Sequence, residues 1–440
     1  MRLSGWGRYP TIDAEVSTPR SIDEIKALVK RGNAIARGNG RSYGDSAISK
    51  TNTIQMKHLN KMLSFDVVSG QLVVEAGVLL ADIIDVFLKH GWFPYVTPGT
   101  KFVTIGGMIA ADVHGKNHHK NGSFGNYVDW IDLLVADGSV KRCSKAKNRQ
   151  LFDWTIGGMG LTGVIIRAAV RLRSVTSAWI KQSTIPAENI KHAIEIFEKS
   201  HSATYSVAWI DCLARGPSLG RSIIMLGEHA DEFDLPKKFQ KSPLSIPLKA
   251  KRKLPFSCPS WVLTASSVKI FNALYYWRVK QRPERQIIDW DSYFYPLDSI
   301  LGWNNMYGSN GFAQFQCVIP LDASENGLTE ILETIGESNV GSFLAVLKRF
   351  GEQSSMFSFP MEGYTLALDF PINNKSLNLM KKLDSIVIQY GGRFYLAKDS
   401  RMSRATFHKS DPRAKAYHRY RSGFEADFTF KSAQSVRLDF

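Results

Sequence analysis

Four side chains in this sequence have the types and neighbours that proton and hydride chemistry needs: His114, Lys116, Tyr395 and Lys398. A lysine amine or an imidazole can take a hydroxyl proton, and a lysine cation can instead stabilise negative charge on a reduced cofactor or a phosphate. Lys398 could orient or deprotonate a substrate hydroxyl, with Tyr395 and His114 beside it, though by type alone it is better read as an ordinary surface lysine. Lys398 lies three residues after Tyr395, so a strand would point the two to opposite faces. A turn or bulge near Gly391-Gly392 is needed to bring both to one centre. Gln314 and Gln316 alternate with Phe315 and therefore share a face of a strand. Two amides there suit a polyhydroxylated sugar, and a core or dimer contact would use them equally well. Lys348 follows the apolar run Phe343 to Leu347 at what reads as a strand end, in place to meet a phosphate. The adjacent pair His118-His119 lacks helical ligand spacing, so no metal site is expected.

These residues stand beside three glycine-rich turns. The first, Ala36-Arg-Gly-Asn-Gly-Arg-Ser-Tyr-Gly-Asp-Ser46, can present consecutive backbone N–H groups to phosphate oxygens, or can be a plain tight turn. It carries neither the Gly-Lys-Ser/Thr of a P-loop nor a GxGxxG opening a helix. The second, Thr97 to Gly107, runs on into His114-Gly-Lys-Asn-His-His119, and the third, Ile156 to Ile165, leads into a strand. Three such turns, each abutting a strand, point to a large flat ligand with a pyrophosphate.

The elements that must hold these turns are short alternating strands and helices. Ser21 to Glu24 reads as a helix start, with Ile22, Ile25, Leu28 and Val29 on one face and Gly32 as the stop. Ala34 to Ala36 and Gly70 to Gly77 read as strands, and Leu80 to His90 as a helix ending at Gly91. Beyond Thr176 longer strand-like runs appear (Tyr205 to Asp211, Gly311 to Pro320, Tyr364 to Phe370), with helices at Ala187 to Ser200 and Lys375 to Tyr390. That order predicts an α+β chain whose second domain is an antiparallel sheet with helices on one side. A length of 440 residues also predicts two domains.

The quoted turns, together with Gly40-Arg-Ser-Tyr-Gly-Asp45, Gly122-Ser-Phe-Gly-Asn126, Ser342-Phe-Leu, Asp369-Phe-Pro and Tyr395-Leu-Ala-Lys-Asp-Ser400, carry a specific resemblance. The chain resembles the vanillyl-alcohol oxidase and p-cresol methylhydroxylase (PCMH) superfamily of FAD-binding proteins. It is similar, from Gly5-Trp-Gly to Arg437-Leu, to the branch that oxidises polyprenyl-phosphate-linked ribose. The resemblance implies a two-domain PCMH-type fold: residues 1–175 and 393–440 would form the FAD-binding domain, and 176–392 the substrate domain. It implies FAD contacts from Arg37, Gly38, Asn39, Gly40, Arg41, Ser42 and Tyr43, and from Gly99, Thr100, Thr104, Gly106 and Gly107. Further FAD contacts would come from His114, Gly115, Asn117, Gly122, Ser123, Gly125, Gly158, Gly163, Ile165 and Tyr395. Many superfamily members attach FAD through a histidine in the first turn. Arg41 stands in that place, so a non-covalent FAD is expected, with His114 as the second candidate for attachment. Substrate would meet Lys116, Gln314, Gln316, Lys348, Thr365, Ala367 and Lys398. At Ala367 many relatives carry a cysteine and at Thr365 an asparagine, which puts the identity of the sugar in question.

Composition bounds the rest. Lys and Arg number 56 against 40 Asp and Glu, a formal charge of +16 that favours an anionic partner or is simply a basic solvated surface. The cysteines Cys143, Cys212, Cys258 and Cys317 show no CxxC spacing, which fits a reducing cytosol. The start, MRLSGWGRYP, lacks the apolar core of a signal peptide, and no apolar run reaches the roughly 18 residues of a spanning helix. Between Asp234 and Glu284 there is no acidic residue. Lys251, Arg252, Lys253, Lys269, Arg278, Lys280 and Arg282 are interleaved there with Phe256, Trp261, Val262, Leu263, Ile270, Phe271, Leu274, Tyr275, Tyr276 and Trp277. Such a stretch suits an anionic membrane surface, would also accept nucleic acid, or is a surface loop with one core-facing helix.

The resulting expectation is a cytoplasmic enzyme, peripheral on the inner face of the membrane. It would oxidise a secondary hydroxyl of a polyprenyl-phosphate sugar to a ketone, as the oxidative half of an epimerisation that a short-chain reductase completes. A soluble oxygen-using sugar, alditol or aldonolactone oxidase is the alternative. A basic nucleic-acid-binding protein would leave three glycine turns without a purpose, so no nucleic acid is expected.

Overall fold

The computed structural model describes residues 1–247, 249, 252–254, 264–281 and 283–440. Lys251, Arg282, Cys258, Phe256, Trp261, Val262 and Leu263 lie outside the described residues.

The N-terminal region is built on two sheets. Val16–Ser17, Thr53–Gln55 and Ile35–Arg37 form a parallel sheet, against which the helix Ile22–Lys30 lays Ile25 and Val29. Ser21 caps that helix by accepting from the Glu24 amide at 3.2 Å, and Gly32 follows it with φ at 74°. The second sheet runs Val140–Ser144, Val128–Leu134, Val164–Ser174, Gln71–Glu75 and Met62–Asp66, all antiparallel, with Trp92–Pro94 added to the far end of the long strand. The helix Leu80–Phe87 tightens into a 3₁₀ turn at Leu88–His90 and stops at Gly91, whose φ of 78° suits glycine.

The larger sheet has eight antiparallel strands: Arg285–Asp289, Trp179–Ala187, Ser222–His229, Tyr205–Ile210, Ala345–Phe350, Gly363–Pro371, Phe312–Pro320 and Arg393–Phe394. Its helices Ile190–Lys199, Ser324–Ser338 and Asn374–Gln389 pack on one face, where Ile331, Leu332, Leu383 and Val387 are fully buried in the main apolar core. Register fixes the other face. Gln316 stands opposite Ala367, Gln314 opposite Asp369, and Lys348 opposite Thr365, so these side chains line one surface of the sheet.

The last residues pack against the N-terminal region. Ala34 bridges to Phe430, Tyr417 Oη donates to the Gly158 carbonyl at 2.5 Å, and Arg421 Nε donates to the Leu161 carbonyl at 3.1 Å. Arg437 reaches Asp45 in the first glycine turn. Cys143, Cys212 and Cys317 are buried free thiols. Among the described residues no helix is long and apolar enough to cross a membrane.

Candidate active site

The first two glycine turns are packed into each other. Asn39 Nδ2 donates to the Phe102 carbonyl at 2.8 Å, and a Cβ on Gly38 would stand 2.1 Å from Thr104 Oγ1. Thr104 caps the short helix Ile105–Ala110, accepting from the Gly107 amide at 3.3 Å. Close backbone approach requires some of these glycines: a Cβ on Gly44 would meet the Asp399 carbonyl at 2.2 Å, and one on Gly158 the Trp154 carbonyl at 2.2 Å. At Gly163 a Cβ would meet the Leu134 carbonyl at 2.6 Å, while at Gly40, Gly106, Gly115, Gly122 and Gly125 the nearest atom belongs to a side chain, of Arg37, Ala76, Asn117, Asn126 and Ile156. Gly99 differs, since a Cβ there would meet nothing within 4 Å. Its turn is held from the other side, where Asp298 Oδ2 accepts from Thr100 Oγ1 at 3.1 Å and from the Lys101 amide at 2.9 Å. Arg37 is spent on the Ser4 carbonyl at 2.8 Å, and Ile165 belongs to the apolar core. Ser42 meets the Trp6 amide through its own carbonyl at 2.8 Å, and Ser123 Oγ donates to Asp112 at 2.7 Å.

Among the described residues, several buried polar atoms beside these turns have no hydrogen-bond partner: Arg41 Nε, Thr97 Oγ1, His114 Nδ1, Asn117 Oδ1 and Ser400 Oγ. Donors and acceptors left unmet in a protein interior cost about 1–3 kcal/mol each, so a polar ligand belongs among them. Arg41 lies over the Trp6 ring at 4.2 Å and the Phe102 ring at 5.4 Å, an aromatic setting for a cation facing phosphate. These residues fit FAD: the open turn at Gly99 with Thr100 and Arg41 suits the pyrophosphate, and His114 with Asn117 suits the ring system.

Beside them the sheet surface brings the predicted chemical residues together. Gln316 Nε2 donates to His114 Nε2 at 3.0 Å and lies 3.2 Å from Thr365 Oγ1, which itself donates to the Cys317 carbonyl at 2.8 Å. That bond leaves the His114 proton on Nδ1, the atom without a partner. Burial, with Lys348, His118 and Lys398 nearby, holds the imidazole well below its usual pKa and therefore neutral. Tyr395 Oη donates to the Ala111 carbonyl at 3.1 Å, and its ring lies 5.3 Å from His114 and 4.8 Å from Phe359.

Lys398 places its ammonium 3.8 Å from the centre of the Tyr43 ring. The bend that carries it lies at Tyr395 to Lys398 itself, where the Lys398 amide donates to the Tyr395 carbonyl at 2.9 Å, rather than at Gly391-Gly392. Lys348 sits within the strand Ala345–Phe350 rather than at its end. Burial pushes Lys348 down to about 8, and burial together with Lys348 pushes Lys116 down to about 7. Burial also lowers Lys398, with Asp369 opposing and Lys348 adding to the shift. Lys116 Nζ donates to the Tyr293 carbonyl and stands over that ring at 4.1 Å. Lys348 has no hydrogen bond or ion pair among the described residues. Repulsion from Lys348 reaches both Lys116 and Lys398.

Asp369 is the acidic member that sequence reasoning passed over. It accepts from Gln314 Nε2 at 2.5 Å and Tyr307 Oη at 3.2 Å, and burial raises its pKa. Its spacing was the available signal, because Thr365, Ala367 and Asp369 alternate along one strand. Asp298 offered none: it reaches Thr100 across 198 residues of sequence.

Residues 14–144 match the FAD binding domain family. Over 449 aligned residues the chain is 37% identical to decaprenylphosphoryl-β-D-ribose oxidase of Mycolicibacterium smegmatis, covering 99% of this chain and 97% of that one. The chain belongs to that oxidase family. L-gulonolactone oxidase of Bos taurus is 30% identical over 193 residues, 42% of this chain and 43% of that one. Cytokinin dehydrogenase 5 of Arabidopsis thaliana is 28% identical over 192 residues, 40% of this chain and 35% of that one. As a decaprenylphosphoryl-ribose oxidase-like flavoprotein of α+β fold, the protein uses non-covalently bound FAD to oxidise CH–OH groups of sugar-type substrates.

Proposed function

We propose that the substrate is a polyprenyl-phosphate-linked sugar, oxidised at a secondary hydroxyl to a ketone as the first half of an epimerisation. The observation that carries this reading is the placement of Lys348 opposite Thr365 on the sheet and of Lys398 over the Tyr43 ring, with Lys116 close enough to feel the Lys348 charge and with burial as the main cause that lowers all three. Such a surface recruits an anion, and a sugar joined to lipid through phosphate supplies one beside the hydroxyl to be oxidised. The full-length likeness to an oxidase named for decaprenylphosphoryl-ribose agrees with it.

In this mechanism Lys348 and Lys116 hold the phosphate. Gln316 and Thr365 orient the sugar hydroxyls beside the small Ala367, Gln314 keeps Asp369 in place, and His114 donates from Nδ1. Lys398 Nζ, neutral in part because burial disfavours its charge, takes the hydroxyl proton. The chemistry supplied by bound FAD is acceptance of the hydride from the same carbon. Residues 1–175 and 393–440 would hold the cofactor and 176–392 the substrate. A short-chain reductase would act on the ketone, and the stretch of about 235–283 would rest on an anionic membrane surface at the inner face of the cell.

Anaerobic titration of the purified holoprotein tests the reading. Loss of flavin absorbance with a polyprenyl-phosphate pentose, and none with a free aldonolactone or alditol, is the expected result. Bleaching by the free sugar alone would assign the protein to the soluble oxidases instead.

A further inference from the structure

The helix Ala265–Lys280 is apolar on two opposite sides. Toward the protein it turns Val268, Asn272 and Val279, with Asn272 Nδ2 donating to Asp211 Oδ1 at 2.7 Å and Tyr275 edge-on to Trp209 at 4.8 Å. Nearly half a turn away, Ile270, Leu274 and Trp277 are 63%, 61% and 63% exposed, and Phe271 beside them is 43% exposed. An exposed stripe of large apolar side chains on one helix calls for a second apolar phase. Lys269 and Lys280 border the stripe on one side and Arg278 on the other, all exposed. The amphipathic pattern is therefore repeated outward, with cations at both edges, as an interfacial helix requires.

We propose that this outward face is the seat of the protein on an anionic lipid surface, with Leu274 and Trp277 inserted at headgroup depth. The inference rests on the membrane part of the reading above and deepens it by naming the element. Charge selects the occupant. From Leu235 to Pro283 the chain carries 11 lysines and arginines and no acid, so phospholipid headgroups complement it. A second copy of the chain would bring Lys269, Arg278 and Lys280 against their own kind. Position agrees as well. The Phe271 ring lies 5.3 Å from that of Phe343, tilted by 37°, and Phe343 packs against the aromatic cluster of Tyr43, Trp303, Tyr307 and Phe312. Tyr43 is the ring that carries Lys398. The seat thus joins the reacting surface through a continuous apolar path, the side from which a lipid-linked substrate would arrive.

The test is flotation of the full-length holoprotein with vesicles of phosphatidylcholine alone or mixed with phosphatidylglycerol. The wild type is expected to float with the mixed vesicles. Leu274→Glu/Trp277→Glu is expected to weaken that binding at least about tenfold, with flavin content and melting midpoint unchanged because both residues face outward. Flotation by wild type and variant alike would overturn the assignment of this face while leaving the membrane reading standing. No flotation by the wild type would overturn both. Self-association of the wild type that the double substitution abolishes, without vesicle binding, would give the face to a second copy and sink the proposal. The substrate reading is decided separately by the anaerobic titration.

Discussion

At the scale of single residues, the site is a set of groups whose protonation is set first by burial and then, for Lys116 and Lys398, by the charge of Lys348. Lys398 is lowered from 10.5 by burial and by the Lys348 charge. A base must be neutral to work, so kcat/KM is expected to rise with pH and level off through a midpoint below that value. Lys348→Met removes the repulsion, so the midpoint should move upward, whereas a purely structural role for Lys348 would leave it in place. Lys398→Met is expected to lose about 10²–10⁴-fold in the rate of flavin reduction, with FAD still bound and its spectrum intact. A Lys398→Arg variant with near-normal rate would show that the cation, rather than the free amine, is what the reaction needs. Most members of this surface could be read from the chain, because alternation on strands places Gln314 with Gln316 and the glycine turns mark the cofactor side. The partners of those residues could not. That Gln316 is tied to His114 across 202 residues is a consequence of tertiary packing, on which local pattern has no purchase.

The elements show the same division between local and distant causes. The helix Leu80–Phe87, the strand Phe312–Pro320 and the helix Asn374–Gln389 fall where glycine stops and apolar period put them. The bend at Tyr395 to Lys398 did not, since its cause is the approach of the first glycine turn, whose Tyr43 amide donates to the Ala397 carbonyl at 2.9 Å. Asp298 is the element-scale counterpart on the other side of the cofactor turns. It is a positioning residue, holding Thr100 and Lys101, while Lys101 Nζ pairs with Asp291 at 2.5 Å. Asp298→Ala leaves the Thr100 hydroxyl and the Lys101 amide without their acceptor, a loss of about 1–3 kcal/mol. The expected readout is FAD that dissociates more readily on dilution, followed by recovery of flavin fluorescence, with the rate per bound flavin little changed. An unchanged dissociation constant would mean that the turn keeps its shape without Asp298.

For the whole molecule, the question is how the end of the chain contributes to a site built from its beginning. Arg437 bonds Asp45 through Nη2 at 2.8 Å and Asp399 through Nη2 at 2.8 Å, and Gln434 Nε2 adds a bond to Asp399 at 3.2 Å. Both carboxylates are buried, at 2% and 8% exposure, and one lies in the first glycine turn while the other follows Lys398. Arg437 therefore ties the first glycine turn to the bend that carries Lys398. Burial alone would raise Asp399, but Arg437 and Arg401 outweigh it and hold its pKa below 3.8. A carboxylate depressed on folding adds stability above its unfolded pKa and loses it as pH falls through the folded value. Asp45 runs the other way: burial outweighs Arg437 and raises it, so its ionised form is held in place only while the arginine is there. Arg437→Ala leaves Asp45 without its cation and Asp399 with the charge of Arg401 alone, a change that costs about 3–5 kcal/mol. The melting midpoint of the variant should fall sharply at neutral pH, and bound FAD should be lost with it, since the first turn loses its anchor. The gap between variant and wild type should narrow below about pH 4, where protonation of the carboxylates removes the need for the arginine. A gap that stays constant through that range would show that Arg437 acts by packing, and that the joining of the two ends does not depend on charge.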